Sequence, residues 1–119
     1  MTYVSILPKT IDAQIRLTEQ LDTVMNLLFT AAREVLDIPD NDIIVELHSC
    51  TTLAFNASAV RADVAPDVVL TFVTSDAPLE RLFSELCERV VGDWNGPFET
   101  LKLEVWASLL GASDTNIEV

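Results

Sequence analysis

The central strand of the predicted fold is the stretch Val68-Val69-Leu70-Thr71-Phe72-Val73, an uninterrupted run of apolar and β-branched residues. Such a run is typical of a strand that is buried on both faces. Three further strands are predicted around it. Thr2 to Leu7 is β-branched and aromatic, and Ile43 to Leu47 follows a polar turn. In Thr100 to Ser108 the residue types alternate with a period of two, which predicts that one face packs on helices.

Two amphipathic helices are predicted between these strands. From Asp12, a possible cap, apolar residues recur at steps of three and four until shortly before Pro39, which predicts one long helix. A second helix is predicted from a cap at Ser75 or Asp76 to about Val91. The predicted order is therefore β-α-β-β-α-β, an α+β fold with a four-stranded sheet and two helices on one face. The uncovered face predicts a homo-oligomer.

The composition narrows the class of protein. The chain has 119 residues, which predicts a single domain over 1–119, with an irregular connection from Ser49 to Pro66. Seven Lys and Arg against 19 Asp and Glu give a net charge of −12, which disfavours nucleic acid and membrane surfaces as partners. Cys50 and Cys87 are interpreted as reduced thiols. The pattern of a signal peptide and a membrane-spanning apolar run are both absent from the sequence, so we expect a cytoplasmic location.

Few residues in this sequence form a pattern that predicts chemistry. His48 is the only histidine, and one histidine at a strand end is interpreted as structural. The acidic residues are scattered, which is typical of a solvated surface, so no metal site is predicted. The three glycines match no phosphate-binding loop, and we expect no cofactor.

The last predicted strand offers a candidate binding face. Lys102, Glu104 and Trp106 are expected to project together from the open face of the sheet. Lys102 and Glu104 either form a structural ion pair, or one of them holds a substrate carbonyl or carboxylate. For Trp106 an interface is favoured over a pocket lining.

The N-terminus is a second candidate. Thr2 follows the initiator methionine, and a small second residue generally permits removal of Met1. The exposed α-amino group, whose pKa is ordinarily about 8, would be a candidate general base if an apolar pocket lowered that value. The alternative is an ordinary frayed terminus.

The chain resembles the tautomerase superfamily, in particular its long-chain members of the macrophage migration inhibitory factor type. The resemblance covers nearly the whole chain and rests on three stretches: the strand Thr2 to Ile6, the junction Leu36 to Glu46, and Leu53-Ala54-Phe55-Asn56-Ala57-Ser58. It implies a homotrimer whose sheets face inward. It also implies chemistry by a proline directly after the initiator methionine, and this chain has Thr2 at that position.

The resemblance implies further site residues. A position that is lysine in some members corresponds to Ile38, and positions often filled by tyrosine and asparagine correspond to Lys102 and Glu104. Arg61 lies where it could reach the cleft of a neighbouring subunit, and Phe55 or Trp106 could line an apolar pocket.

Two hypotheses about function result. In the first, the chain is an isomerase of the tautomerase type, with Thr2 and Lys102 as catalytic residues and Arg61, Trp106 and Phe55 as substrate-binding residues. Its ligand would be a small keto or enol carboxylate. In the second, the chain is a non-catalytic oligomeric module that has kept the fold and lost the base.

Overall fold

The computed structural model describes residues 1–49, 65–112 and 114–117. Within these ranges the strands are β1 (Thr2–Pro8), β2 (Ile43–Leu47), β3 (Val68–Thr74) and β4 (Leu103–Leu109). They form one sheet in the order β2-β1-β3-β4. β1 runs parallel to β2 and antiparallel to β3, which runs parallel to β4. The predicted α+β fold is confirmed. Residues Cys50, Phe55 and Arg61, with most of the predicted irregular connection, lie outside the described residues.

The first predicted helix is divided into two. α1 (Ile11–Glu19) and α2 (Leu21–Ala31) meet at Gln20, whose φ of −121° and ψ of 35° leave the helical region. The apolar period continues across this break, and Gln20 is neither proline nor glycine. The sequence pattern therefore predicts a single helix. The cap of α1 is also different from the prediction: the Thr10 hydroxyl, not Asp12, accepts a hydrogen bond from the backbone N–H of Ala13 at 3.1 Å.

A π-helical turn, Ala32–Leu36, ends this helical region, and Asp37 then adopts a left-handed conformation with φ of 55°. This turn and the left-handed residue redirect the chain toward β2 before Pro39.

The second predicted helix begins later and ends later than expected. A 3₁₀ segment, Ala77–Leu82, precedes α3 (Phe83–Trp94). The helix continues past Val91 because Trp94 is an anchor of the core: its indole N–H donates to the Leu101 carbonyl at 3.0 Å, and its ring lies 4.6 Å from that of Phe98. β4 consequently begins at Leu103 rather than Thr100.

The helices cover one face of the sheet. Even-numbered positions of β1 and β3 and odd-numbered positions of β2 and β4 pack toward the helices, as the burial alternation shows. The prediction that β3 is buried on both faces is only half right in a single chain, because Val69, Thr71 and Val73 are half-buried. We call the other face of the sheet the open face; it comprises Tyr3, Ser5, Leu7, Ile44, Glu46, Val69, Thr71, Val73, Glu104, Trp106 and Ser108.

Candidate functional site at the start of strand β1

The start of β1 lies at one end of the sheet, where residues of all four strands are paired side by side. Thr2 is paired with Ile43 of β2 and with Thr74 of β3, and Thr74 is paired with Leu109 of β4. Because β1 and β2 are parallel, the residues that precede them, Met1 and Asp42, are also brought side by side. The N-terminus is therefore held at a defined place in the fold.

The side chain of Thr2 points into the helical layer and is 1% exposed. Its hydroxyl donates a hydrogen bond to the hydroxyl of Thr74 at 3.2 Å, and that oxygen also accepts from the backbone N–H of Asp76 at 3.2 Å. The hydroxyl of Thr2 is thus used inside the structure. Only the α-amino group of this residue is a candidate for chemistry.

The ammonium group at the N-terminus lies beside a carboxylate. The nitrogen of Met1 is 3.5 Å from Oδ1 of Asp42, and both groups are about half exposed. This contact belongs to the amine of Met1, and the Thr2 amine in an apolar pocket stays a prediction for the chain without Met1. Ile38, at the position that the resemblance relates to a lysine, is buried in the core and supplies no cation.

Lys102 lies at the opposite end of the sheet from Thr2. It precedes Leu103, which pairs with Val68, whereas Thr2 pairs with Thr74. These two levels are six residue steps apart along β3, from Val68 to Thr74, which corresponds to about 20 Å at about 3.3 Å per residue. Thr2 and Lys102, which the first hypothesis combines as catalytic residues, therefore do not share a cleft within one chain, because the register of β1, β3 and β4 places them at opposite ends.

The backbone of Lys102 is fixed by Asp67. The Lys102 N–H donates to Oδ2 of Asp67 at 2.8 Å, and its carbonyl accepts from the N–H groups of Asp67 at 2.9 Å and Val68 at 3.1 Å. Lys102 thus closes the junction between the turn and β4 and lies just outside the strand, rather than inside it as predicted.

Trp106 and Glu104 project from the open face, as predicted. Trp106 is 58% exposed and is level with Thr71 of β3, whereas the side chain of Thr2 faces the helices. The two candidates Thr2 and Trp106 therefore lie on opposite faces of the sheet. A single chain does not bring Thr2, Lys102 and Trp106 together.

Sequence reasoning missed three residues that the structure places next to the candidates. Asp42 and Thr74 flank the N-terminus, and Glu46 lies beside His48, with 3.5 Å between Glu46 Oε2 and His48 Nε2. Asp42 could have been found only from the parallel pairing of β1 with β2, which has no local signature in the sequence. Glu46 could have been found locally, because a spacing of two residues along a strand places Glu46 and His48 on the same face. Thr74 lies one residue beyond the predicted end of β3.

The helical layer carries an ionic cluster away from these candidates. Arg89 of α3 bonds Asp93 one turn later and Glu34 of the π-helical turn. The hydrogen bonds that the guanidinium donates to Asp93, and then to Glu34, raise its pKa. The cluster joins two helical segments and is a structural feature.

Two kinds of site are absent from the described residues. They contain no group of three or more histidine, cysteine or acidic side chains placed to hold a metal ion. None of the helices in this part of the chain has the length and apolar character needed to cross a membrane.

The sequence matches no protein-family model and no curated protein. The structure, however, is similar to several solved ones. Leishmania major MIF2 superposes with a TM-score of 0.60 at 15% identity, over 98% of this chain and 94% of that one. Native fused 4-OT gives 0.57 at 17% identity, over 97% and 91%. The FG41 malonate semialdehyde decarboxylase inhibited by 3-bromopropiolate gives 0.51 at 17% identity, over 91% and 82%. All three are members of the tautomerase superfamily. This chain therefore has the fold of the tautomerase superfamily.

Proposed function

We propose that the chain is an isomerase-like protein that interconverts the keto and enol forms of a small 2-keto acid, with the α-amino group of Thr2 as the base. The observation that carries this proposal is the place of Thr2 as the first residue of β1, in a strand whose pairing with β2 and β3 fixes it. Removal of Met1 would leave a primary amine at this end of the sheet.

The chemistry needs one amine that both accepts and returns a proton. In ketonisation the amine of Thr2 takes the proton of the enol hydroxyl, and the resulting ammonium delivers a proton to carbon three of the substrate. Asp42 directly precedes the strand that pairs with β1, and with Met1 in place its Oδ1 lies 3.5 Å from the Met1 nitrogen. After removal of Met1 we expect this carboxylate to hold the Thr2 ammonium between the two transfers. The hydroxyl of Thr2 takes no part, because it is bonded to Thr74.

The proposed assembly is a homotrimer with the open faces directed inward. Its support is the set of large apolar side chains exposed on that face, among them Tyr3, Ile44 and Trp106. Burial of these side chains between copies would be favourable, and a single chain leaves them in water.

A complete site in this proposal is formed between copies. Lys102 lies about 20 Å from the level of Thr2 along β3, so a site that uses both must take Lys102 from a neighbouring chain. In that role Lys102, or Arg61, would hold the substrate carboxylate and polarise the oxygen on which enolate charge develops. Trp106 or Phe55 would line the apolar side of the same cleft.

The test compares forms of the protein that differ only at the amine. Intact mass first establishes whether Met1 is removed. Ketonisation of enol phenylpyruvate is then measured for the protein that begins at Thr2 and for a form with one additional residue before Thr2. We expect the free Thr2 amine to be faster by roughly a hundredfold, the lower end of general acid–base contributions. Equal, background rates would refute the proposal.

Two variants separate binding from base chemistry. Lys102→Ala should raise KM with a smaller effect on kcat if this residue holds the carboxylate. Lys9→Ala is the matched control, because it removes one lysine outside the proposed site and should change neither constant. Thr2→Pro should increase the rate if the site needs a ring amine.

The second candidate function is a non-catalytic oligomeric module that binds a ligand or supports an assembly. A specific observation favours it: the N-terminal group is paired with the acid Asp42, while the open face of the described strands carries the acids Glu46 and Glu104 and no lysine or arginine. Such surroundings repel a carboxylate substrate. Retention of Met1 in the purified protein, together with a background rate, would support this module over the enzyme.

A further inference from the structure

His48 occupies an unusual position at the end of β2. Its backbone N–H donates to the carbonyl of Ile6 at 2.9 Å, so the main chain at this residue still belongs to the sheet. Alternation along the strand places it after Ile44 and Glu46 on the open face. Its side chain is 42% exposed, yet the Nε2 atom is shielded from solvent and has no hydrogen-bond partner among the described residues.

The closest charged group to this nitrogen is an acid. Oε2 of Glu46 lies 3.5 Å from Nε2 of His48, within ion-pair distance although beyond a good hydrogen bond. A neutral imidazole gains little from this neighbour, and its shielded nitrogen stays unsatisfied. A protonated imidazole would form a charge-assisted pair with the carboxylate.

The described elements around His48 contribute few charges, within residues 1–49 and 65–112. The adjacent strand β1 presents Ser5 and Leu7, which are uncharged, and Lys9 follows after the end of that strand. Beyond β1, β3 presents the uncharged Val69 and Thr71, and β4 presents Glu104. The open face of the described strands therefore holds two acids, and His48, directly after β2, is the basic group that continues it.

We propose that His48 and Glu46 form a pH-sensitive element that strengthens association between copies of this chain as the solution is acidified. The inference rests on the proposed assembly through the open face. When several copies bring their Glu46 and Glu104 side chains together, carboxylate repulsion opposes association. Protonation of each His48 supplies a cation where this repulsion arises.

The direction of the effect follows from proton linkage. Imidazoles titrate between about pH 5 and pH 8, while ordinary glutamates remain ionised above about pH 4.3. If the associated state holds the proton on His48 more tightly than the free chain does, association takes up protons and is favoured at lower pH.

The experiment measures the self-association constant by fluorescence-detected sedimentation at pH 7.5 and pH 5.5, at one ionic strength, with full-length chains. For the wild type we expect the dissociation constant to fall roughly two- to fivefold per interface, the range of a partly exposed ion pair. His48→Gln should abolish this response, and Glu46→Gln should reduce it. Glu85→Gln, which removes an exposed acid of α3, should keep it.

The outcomes distinguish this inference from the assembly on which it rests. An oligomer whose dissociation constant is the same at both pH values, or a pH response that survives in His48→Gln, would overturn the role of His48 and leave the assembly intact. A monomer at both pH values throughout the concentration series would overturn the assembly and the pH-sensitive element together.

Discussion

The hydroxyl of Thr2 donates a hydrogen bond to the hydroxyl of Thr74, 3.2 Å away, and both side chains are buried between the sheet and the helices. This bond connects the first residue of β1 to the last residue of β3. It has a consequence for chemistry, because it keeps the hydroxyl of Thr2 away from any ligand on the open face. The hydroxyl of Thr2 is therefore part of the buried layer, and the proposed base chemistry concerns only the nitrogen of this residue.

This bond predicts coupled stability effects. Thr2→Val should lower the free energy of unfolding by about 1 kcal/mol, because the Thr74 hydroxyl loses its donor. Thr74→Val should cost more, about 2 kcal/mol, because it leaves both the Thr2 hydroxyl and the Asp76 N–H without their acceptor. Urea unfolding at one protein concentration measures both.

The double variant is the decisive control for that pair. Because both partners of the buried bond are then apolar, Thr2→Val/Thr74→Val should be more stable than the sum of the single losses predicts, by about 1 kcal/mol. Strictly additive losses would show that the two hydroxyls do not interact in solution.

The arrangement of strands was predictable from the sequence because the apolar and β-branched runs are local. Ile43–Leu47 has the predicted bounds, and β1 and β3 differ from theirs by one residue at the end. The break at Gln20 was not predictable, since an ordinary residue leaves the helical conformation there without proline or glycine. The late start of β4 has a tertiary cause, the bond from Trp94 to the carbonyl of Leu101.

The candidate site was harder to predict than the fold. Alternation correctly places Trp106 on the open face, since it needs only the local period of two. The separation of Thr2 from Lys102 depends on which strands pair and in which register. That register is a long-range property, and no residue near Thr2 encodes it. The same applies to Asp42, which comes next to the N-terminus only through the pairing of β1 with β2.

Asp37 offers a prediction about backbone strain. With φ of 55° and ψ of 41°, it occupies the left-handed region that glycine adopts without steric cost. Asp37→Gly should therefore raise the free energy of unfolding by about 0.5 kcal/mol, while Asp37→Ala should lower it by a similar amount. Since the side chain is exposed, the two variants differ mainly in backbone preference. Thermal unfolding that ranks alanine above glycine would contradict this conformation.

The two tryptophans should report separately on folding and association. Trp94 is fully buried and Trp106 is 58% exposed. In Trp106→Phe the remaining tryptophan emission comes from the buried Trp94, so we expect it at short wavelength. In the wild type, the emission of Trp106 should shift to shorter wavelength as the protein concentration increases, because association would cover the open face. The spectrum of Trp106→Phe should not change with concentration. An oligomer in which the wild-type emission stays constant would place the contact between copies elsewhere.

Cys87 of α3 predicts a loss of stability at alkaline pH. Its side chain lies beside Val91 and Val105, and burial raises the pKa of the thiol because the thiolate is poorly solvated there. A raised pKa in the folded state means that folding is favoured while the thiol keeps its proton. The contribution is complete below the ordinary pKa of about 8.5 and is lost as the pH rises through the raised value.

Urea unfolding from pH 7 to pH 10 should be measured with Cys50→Ser, so that Cys87 is the remaining thiol. We expect this protein to lose more stability above pH 8.5 than a Cys50→Ser/Cys87→Ala control, and its folded form to react with iodoacetamide at pH 8 more slowly than its unfolded form. Identical pH profiles for the two proteins would show that the thiol titrates alike in the folded and unfolded states.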